Sequence, residues 1–200
     1  MKLHAYLEQL LGTKAGISIL RSLVKYKGRT FTVRGLGKDS GVSNVESSRT
    51  IKQLEQFGIV KIQPVGRAYQ LFLNDQSYVL DKIVKPILMA EEMTVSTLTT
   101  ILAKHLATKK IISAVIFGSV AKREEKEDSD IDLLVISDDF DHAAEVVANA
   151  NEDIALVFHT RISPIIFAKK EFLSKKKNDL IRSILSNHIL VTGSELEKLK

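Results

Sequence analysis

The sequence predicts an α+β protein in two parts, and three patterns support this fold class. In the first third, apolar residues recur at intervals of three and four, the spacing of helices that bury one face. Two short runs rich in β-branched and aromatic residues then flank a Pro-Val-Gly-Arg turn, which predicts a hairpin. Further along, an apolar strand leads through Gly-Ser into a short helix and is followed by a second apolar strand, which predicts a separate α/β domain.

The composition fits a folded protein whose chemistry relies on oxygen and nitrogen groups. Of 200 residues, 44% are hydrophobic and 26% are charged, and the formal net charge is +5. A basic balance is compatible with a nucleotide or nucleic-acid partner. Cysteine is absent, so disulfides and thiolate chemistry are excluded and a cytoplasmic location is expected. No apolar run is long enough to span a bilayer and the first ten residues lack a signal-peptide core, so no membrane association is expected.

Three helices are expected before the hairpin. A one-sided apolar pattern predicts the first over Lys14–Lys25. A short β-type run, Phe31–Val33, leads into a second helix over Val33–Asp39, which Gly41 ends. The third helix, Ser43–Phe57, begins with the Ser-x-x-Glu pattern of a capping box.

The third helix and the hairpin together carry a resemblance to a known domain. The hairpin strands are predicted at Ile59–Gln63 and Tyr69–Leu73. The segments LGKDSGVSNVESSRTIKQLEQFGIV and KIQPVGRAYQLFLN resemble a winged helix-turn-helix domain. The resemblance implies that the helix Ser43–Phe57 enters the DNA major groove while the hairpin touches the backbone or minor groove. By position, the expected DNA-binding residues are Asn44, Arg49, Thr50 and Gln53 at the bases and Lys52, Lys61 and Arg67 at phosphates.

A second use of this domain stays open. Winged helices also serve in protein interaction or dimerisation, and Glu46 and Glu55 reduce the positive charge of the third helix. The domain could therefore form a homodimer instead of binding DNA.

The segment that carries the chemistry joins a strand, a Gly-Ser pair and two aspartates. Ile111–Phe117 is a continuous apolar run typical of a buried strand. Gly118 lets a phosphate approach the backbone, the following helix offers free N–H groups, and Ser119 adds a hydroxyl donor. Asp130 and Asp132 alternate with one isoleucine, which places both carboxylates on one face of a strand. Such a pair suits Mg²⁺ that also binds substrate phosphates, whereas two merely solvent-facing acids would not account for the unit upstream.

The string GSVAKREEKEDSDIDLLV resembles the signature of the DNA polymerase beta-like nucleotidyltransferase superfamily, and most of all its minimal members from bacteria and archaea. The resemblance implies a small α/β domain with a mixed sheet, and Asp130 and Asp132 as the catalytic, Mg²⁺-binding pair. It also implies transfer of a nucleoside monophosphate from an NTP to a hydroxyl, with release of pyrophosphate. The expected nucleotide-binding set is Gly118, Ser119, Lys122, Arg123 and Ser129.

Active members of this superfamily carry a third carboxylate on a later strand, and the sequence lacks one at the expected place. The apolar spacing predicts a helix over Asp141–Phe158 and the next strand over Arg161–Ala168. The acid is expected near Ile162–Ser163, and neither residue is acidic. Asp153 would supply the third carboxylate only if its segment were a strand rather than a helix. Glu171, on the following helix, is another candidate, but no spacing argument places it near the two aspartates.

The expected domain limits are 1–77 for the winged helix-turn-helix domain, 78–109 for a helical connector and 110–200 for the nucleotidyltransferase domain. Pro86 should start, end or kink a helix within the connector. Near the end of the chain, a helix over Lys169–Asn187 and a final strand over His188–Val191 are expected. The lone histidines His159 and His188 show no partner spacing and are not predicted to bind a metal.

Two functions remain compatible with these patterns. In the first, the protein is a Mg²⁺-dependent nucleotidyltransferase that uses an NTP and is targeted or regulated by a DNA-binding domain. In the second, it is a DNA-binding transcriptional regulator or an antitoxin-like partner protein whose nucleotidyltransferase domain is catalytically impaired. Small transferase domains of this type often pair with helical partner proteins, so such a protein is an expected partner in the second case.

Overall fold

A computed structural model describes residues 6–66 and 68–200 of the chain. The chain divides into two compact units between Met93 and Thr94. The expected three-part division, with limits at residues 77 and 109, stays a prediction. Of the helices in its middle segment, those before Thr94 belong to the first unit and the one that begins at Thr94 belongs to the second. No helix in the described part is long and apolar enough to cross a membrane.

The first unit consists of helices, a hairpin and a closing helix. Its elements are α1 Leu7–Leu11, α2 Lys14–Lys25, α3 Val33–Ser40, α4 Asn44–Gln56, β1 Val60–Val65, β2 Ala68–Leu73, a π-helical turn Leu80–Val84 and α5 Lys85–Glu92. Side-chain caps set the starts of α3 and α4: the Thr32 hydroxyl accepts from the Gly35 N–H at 3.0 Å and the Ser43 hydroxyl from the Glu46 N–H at 3.3 Å. The predicted start of the third helix is therefore confirmed.

The hairpin pairs antiparallel strands and is tied to the chain that precedes α3. Val60 is the partner of Leu73 at one end of the β1–β2 ladder. The short strand expected at Phe31–Val33 is wrong in extent, because only Phe31 forms a bridge, with Leu71, through backbone bonds of 2.8 and 2.7 Å. The order helix, turn, helix and hairpin is that of a winged helix-turn-helix domain, as predicted.

The core of the first unit lies between its helices and the hairpin. Leu20, Leu36, Leu54 and Leu71 are all almost completely buried there, and they come from α2, α3, α4 and β2. The π-helical turn and α5 close the same core with apolar side chains, which include Leu80. This helical segment therefore packs as part of the first unit.

The second unit is a four-stranded sheet between two helical layers. Its elements are α6 Thr94–Leu106, β3 Ser113–Ile116, α7 Gly118–Lys122, β4 Ile131–Ile136, α8 Phe140–Phe158, β5 Ile162–Phe167, α9 Lys169–Ser174, α10 Asp179–Ser186, β6 Ile189–Gly193 and a 3₁₀ turn Leu196–Lys198. The strand order is β5-β4-β3-β6, with β4 and β5 parallel and the other pairs antiparallel. This mixed sheet confirms the predicted fold class.

One helix predicted for the second unit is interrupted. The stretch expected to be continuous over Lys169–Asn187 forms α9 and α10, with a break between them. Asn178 starts α10, because its side-chain oxygen accepts the Leu180 N–H at 2.8 Å. A run of three lysines just before this cap supplies no apolar side chain to a continuous helix face.

The two faces of the sheet bury alternate residues of each strand. Leu133 and Val135 of β4 pack against the layer formed by α6 and α8. Leu134 and Ile136 pack against α9, α10 and the C-terminal turn, where Phe172 is fully buried. Because side chains alternate along a strand, Asp132 lies on the α9–α10 face, beyond the end of its apolar core.

Candidate functional site

The two predicted catalytic aspartates stand where three segments of the second unit meet. Asp130 immediately precedes β4, and Asp132 is the second residue of that strand. The register pairs Ile116 of β3 with Leu133, and the Phe117 N–H donates to the Asp132 carbonyl oxygen at 3.0 Å. The turn from β3 into α7 is therefore held directly beside Asp132.

Gly118 occupies a position in this turn that strongly favours glycine. Its φ is +69°, in the left-handed region that favours glycine. A Cβ atom at this position would lie 1.9 Å from Asp132 Oδ2 and 2.8 Å from its Cγ. The backbone conformation and the neighbouring carboxylate therefore each disfavour a side chain here. Without one, the backbone of the turn lies directly against the acid.

The surroundings of Asp132 act against its negative charge. Its side chain is half-buried, whereas Asp130 is exposed. Burial, and to a lesser degree the charge of Asp130, raises the pKa of the Asp132 carboxyl above its usual value. A divalent cation held by both carboxylates would relieve this repulsion, and an all-oxygen donor set is the kind that Mg²⁺ prefers. The residues present therefore fit a magnesium ion.

The remaining residues predicted to bind nucleotide surround this turn in the chain. Ser119 and Lys122 lie in α7, and Arg123 follows it with a left-handed φ of 59° and an exposed side chain. Ser129 has a structural contact, because its Oγ accepts the Lys126 N–H at 2.9 Å and so orders the loop before β4. Contact of these residues with a nucleotide stays a prediction.

The position expected for a third carboxylate carries serine. Ser163 of β5 is the register partner of Asp132, and neighbours in a parallel pair point to the same side of the sheet. Asp153 lies in α8, where its carboxylate accepts a hydrogen bond from His105 Nε2 at 2.8 Å, in the layer on the opposite face. Glu171 lies in α9, which follows the C-terminal end of β5, whereas Asp132 lies beside the N-terminal end of that strand. Neither substitute considered from the sequence reaches Asp132.

The predicted DNA-binding residues are only partly exposed. The exposed ones are Asn44, Arg49, Lys52 and Lys61, and Gln53 is half-buried. Thr50 is wrong as an exposed candidate, because it is only 6% exposed. It shares the inward face of α4 with Ser47 and Leu54, which are one helical turn away on either side. Arg67 lies outside the described residues.

The outward face of α4 includes an apolar residue that was not predicted from the sequence. Val45 is 84% exposed, and it is followed at intervals of four, three and four by Arg49, Lys52 and Gln56. These four residues share one face of the helix, opposite the buried one. The helical spacing of the buried residues of α4 could have shown from the sequence that Val45 points outward. We call these four residues the outer face of α4.

Comparison with known proteins supports the assignment of the second unit. Residues 97–195 match the family model described as Polymerase beta, Nucleotidyltransferase. Among curated proteins, none matches the chain.

Several solved structures align with the chain at low identity. A toxin-antitoxin with AMP-PNP aligns at 15% identity over 50% of this chain and 76% of that chain, with a TM-score of 0.36. A MarR family transcriptional regulator from Silicibacter pomeroyi aligns at 18% identity over 52% and 80%, with a TM-score of 0.36. An archaeal chromatin protein, TrmBL2, aligns at 19% identity over 90% and 75%, with a TM-score of 0.30.

TM-scores this low do not support a functional assignment. The assignment of the second unit to a family follows from the family match and from the geometry around Gly118 and Asp132. The matched segment contains the whole sheet, the turn at Gly118 and both aspartates. Residues 97–195 of this chain are a nucleotidyltransferase domain of the polymerase beta family.

Proposed function

We propose that this protein is a Mg²⁺-dependent nucleotidyltransferase that transfers a nucleoside monophosphate from an NTP to a hydroxyl acceptor. The observation that carries the proposal is the contact between Gly118 and Asp132. A Cβ would lie 1.9 Å from the carboxylate, so the backbone turn and the acid share one narrow space. A phosphate group on the turn would therefore lie beside any cation held by the acid.

The chain supplies distinct groups for binding and for charge. Asp130 and Asp132 would hold Mg²⁺, and the bound ion would neutralise phosphate charge and polarise the phosphoryl group as a Lewis acid. Gly118 leaves the backbone open, and Ser119 adds a hydroxyl donor next to it. Lys122 and Arg123, on the exposed side of α7, neutralise the remaining phosphate charge.

The winged-helix unit targets or regulates this activity by binding DNA. The outer face of α4 presents Arg49 and Lys52, whose charges suit phosphates or guanine edges. Val45 on the same face suits the methyl group of thymine. Lys61 adds a positive charge on the first hairpin strand.

A second function is favoured by Ser163. With serine beside Asp132, the described part of the site has two carboxylates and no third. In that case the protein is a DNA-binding regulator or an antitoxin-like partner, which binds nucleotide but transfers it poorly. Its partner would be a helical protein or a second copy of the chain.

Transfer of label from NTPs distinguishes the two functions. The full-length protein is incubated with cell extract, Mg²⁺ and each NTP labelled at the α-phosphate. An active enzyme transfers label and releases pyrophosphate, and Asp132→Asn abolishes both. An impaired domain shows neither, but Ser163→Asp restores the third carboxylate and should gain transfer, while Ser163→Asn should not. If the natural protein transfers label from no NTP, the transferase proposal fails, and gain of transfer by Ser163→Asp then identifies an impaired transferase domain.

DNA binding is measured separately with genomic fragments over a salt series. Binding through phosphates predicts that the logarithm of the affinity falls linearly with the logarithm of the salt concentration, with a slope of about 0.9 for each phosphate contacted. Absence of binding at low salt would remove the DNA-binding role and leave protein interaction as the function of the first unit.

A further inference from the structure

One histidine and two glutamates, none of them assigned to the proposed transferase site, converge near the end of the second unit. His188 precedes β6, and Glu195 and Glu197 follow it. The ligand atoms of these three residues all lie within 4.8 Å of one another. The His188 side chain is only 10% exposed, so its ring is fixed by packing rather than by solvent.

The hydrogen bonding of His188 leaves one ring nitrogen directed at the carboxylates. Its Nδ1 lies 2.9 Å from the carbonyl oxygen of Ile184, which can only accept, so Nδ1 carries the proton and donates. In the neutral ring, Nε2 then keeps its lone pair. A histidine that donates one N–H to a backbone carbonyl and presents the other nitrogen is arranged as metal-binding histidines are.

The distance between His188 and Glu195 fits two ligands of one ion better than a direct bond. His188 Nε2 and Glu195 Oε2 are 3.7 Å apart, which is too long for a hydrogen bond. Two ligands bound tetrahedrally at the usual zinc distances lie about 3.4 Å apart. Glu197 is exposed, so a rotation of its side chain can bring the third ligand to the same spacing.

The segment that carries both glutamates is held in place by buried neighbours. Glu195 and Glu197 flank Leu196, which is fully buried in the α9–α10 core. Gly193 makes the turn into this segment at a φ of +84°, where a Cβ would lie 2.3 Å from the Ile112 carbonyl oxygen. The backbone that carries the two carboxylates is therefore fixed before any ligand arrives, which lowers the entropy cost of binding.

We propose that His188, Glu195 and Glu197 form a binding site for a first-row transition-metal cation of the Zn²⁺ type, which fastens the C-terminal 3₁₀ turn to the segment joining α10 and β6. An imidazole with two carboxylates selects such an ion over Mg²⁺, which prefers oxygen ligands alone. None of these three residues has a role in the proposed catalytic reaction. Asp130 and Asp132 offer only oxygen ligands, so the two sites differ in the ion they prefer.

Calorimetric titration of the full-length protein with Zn²⁺ tests the site. The measurements use an Asp130→Asn, Asp132→Asn background, so that no ion binds between the two aspartates. One Zn²⁺ per chain is expected, and an excess of Mg²⁺ should leave the titration unchanged. Glu195→Gln and Glu197→Gln together remove two of the three ligands, so they should weaken binding by more than the roughly tenfold to hundredfold that loss of a ligand's outer partner costs. Glu171→Gln, an exposed glutamate that pairs with Lys175, is the matched control and should bind as its parent does.

His188→Gln should abolish binding, and because His188 is nearly buried its folding is checked by circular dichroism. The exposed glutamate variants keep the test decisive if His188→Gln does not fold. Zn²⁺ should also raise the thermal midpoint of the parent but not that of the double glutamate variant. Failure of the parent to bind Zn²⁺, or unchanged binding after removal of both glutamates, would overturn the proposal.

Discussion

Replacing Gly118 by alanine tests the contact from which the proposed site is inferred. The added Cβ would meet Asp132 Oδ2 at 1.9 Å, Cγ at 2.8 Å and Cβ at 3.2 Å. The Asp132 carboxylate must therefore turn away or the start of β4 must shift. Either movement separates Asp132 from the turn and from Asp130, so metal and nucleotide binding should suffer more than folding.

The cost in stability has two parts. A left-handed conformation costs an alanine about 1–2 kcal/mol, partly offset by the lower entropy of the unfolded chain. Inserting a methyl group into occupied space costs a further ~1–3 kcal/mol. Gly58→Ala measures the cost of the left-handed conformation alone. Gly58 has the same φ of +69°, and a Cβ added there would meet nothing within 4 Å. Gly118→Ala should therefore be less stable than Gly58→Ala by about 1–3 kcal/mol.

Urea denaturation measures this difference, and calorimetry with Mg²⁺ and a non-hydrolysable NTP measures binding. Displacement of a ligand carboxylate should weaken binding in Gly118→Ala by at least the roughly tenfold to hundredfold that follows from perturbing a ligand's orientation, whereas Gly58→Ala should bind as the natural protein does. Equal stability losses in the two variants, together with unchanged nucleotide binding in Gly118→Ala, would refute the reasoning from this contact.

Three further predictions concern charge, a buried hydroxyl and DNA. The pKa of Asp132 is raised by burial and then by Asp130, so the metal-free protein should lose stability as pH rises from the unfolded pKa of about 3.9 through the raised value. The stability advantage of Asp132→Asn in EDTA should therefore grow over that pH range in urea denaturation, and a constant difference would contradict it. Ser113 Oγ is buried without a hydrogen-bond partner in the described chain, so Ser113→Ala should be neutral or stabilising by up to about 1 kcal/mol in thermal denaturation; a clear loss would show that the hydroxyl has a partner. Arg49→Ala with Lys52→Ala should lower the salt slope of DNA binding by about 2, whereas Lys82→Ala, whose ammonium pairs with a neighbouring aspartate, should not change it.

Features that depend on local periodicity could be predicted from the sequence. Alternation along β4 places Asp130 and Asp132 on one side of the sheet, and the spacing in α8 correctly excludes a strand around Asp153. The register then puts Ser163 beside Asp132, where the third acid is expected from the sequence. These features are predictable because burial of one face of a helix or strand fixes the direction in which every side chain of that element points.

Features that depend on contacts between distant segments could not be predicted. The burial of Thr50 follows from packing against the rest of the first unit, since a threonine fits either face of a helix. His188 has no partner spacing in the sequence, yet the turn at Gly193 brings Glu195 back towards it. Spacing patterns describe ligands on one regular element, whereas this cluster spans a strand and the turn that reverses after it.

If the proposed function is correct, the serine at position 163 would make nucleotide binding and nucleotide transfer separable in this domain. Burial and then the charge of Asp130 raise the pKa of Asp132, and a third carboxylate beside it would raise that pKa further by repulsion. Without it, Asp130 and Asp132 would still offer two carboxylates to one cation that also binds the phosphates of a nucleotide. The acceptor hydroxyl, however, loses the acid that would help to place it for attack. Nucleotide binding without transfer therefore identifies the regulatory function, and transfer requires that the acceptor or a partner protein supplies what Ser163 does not.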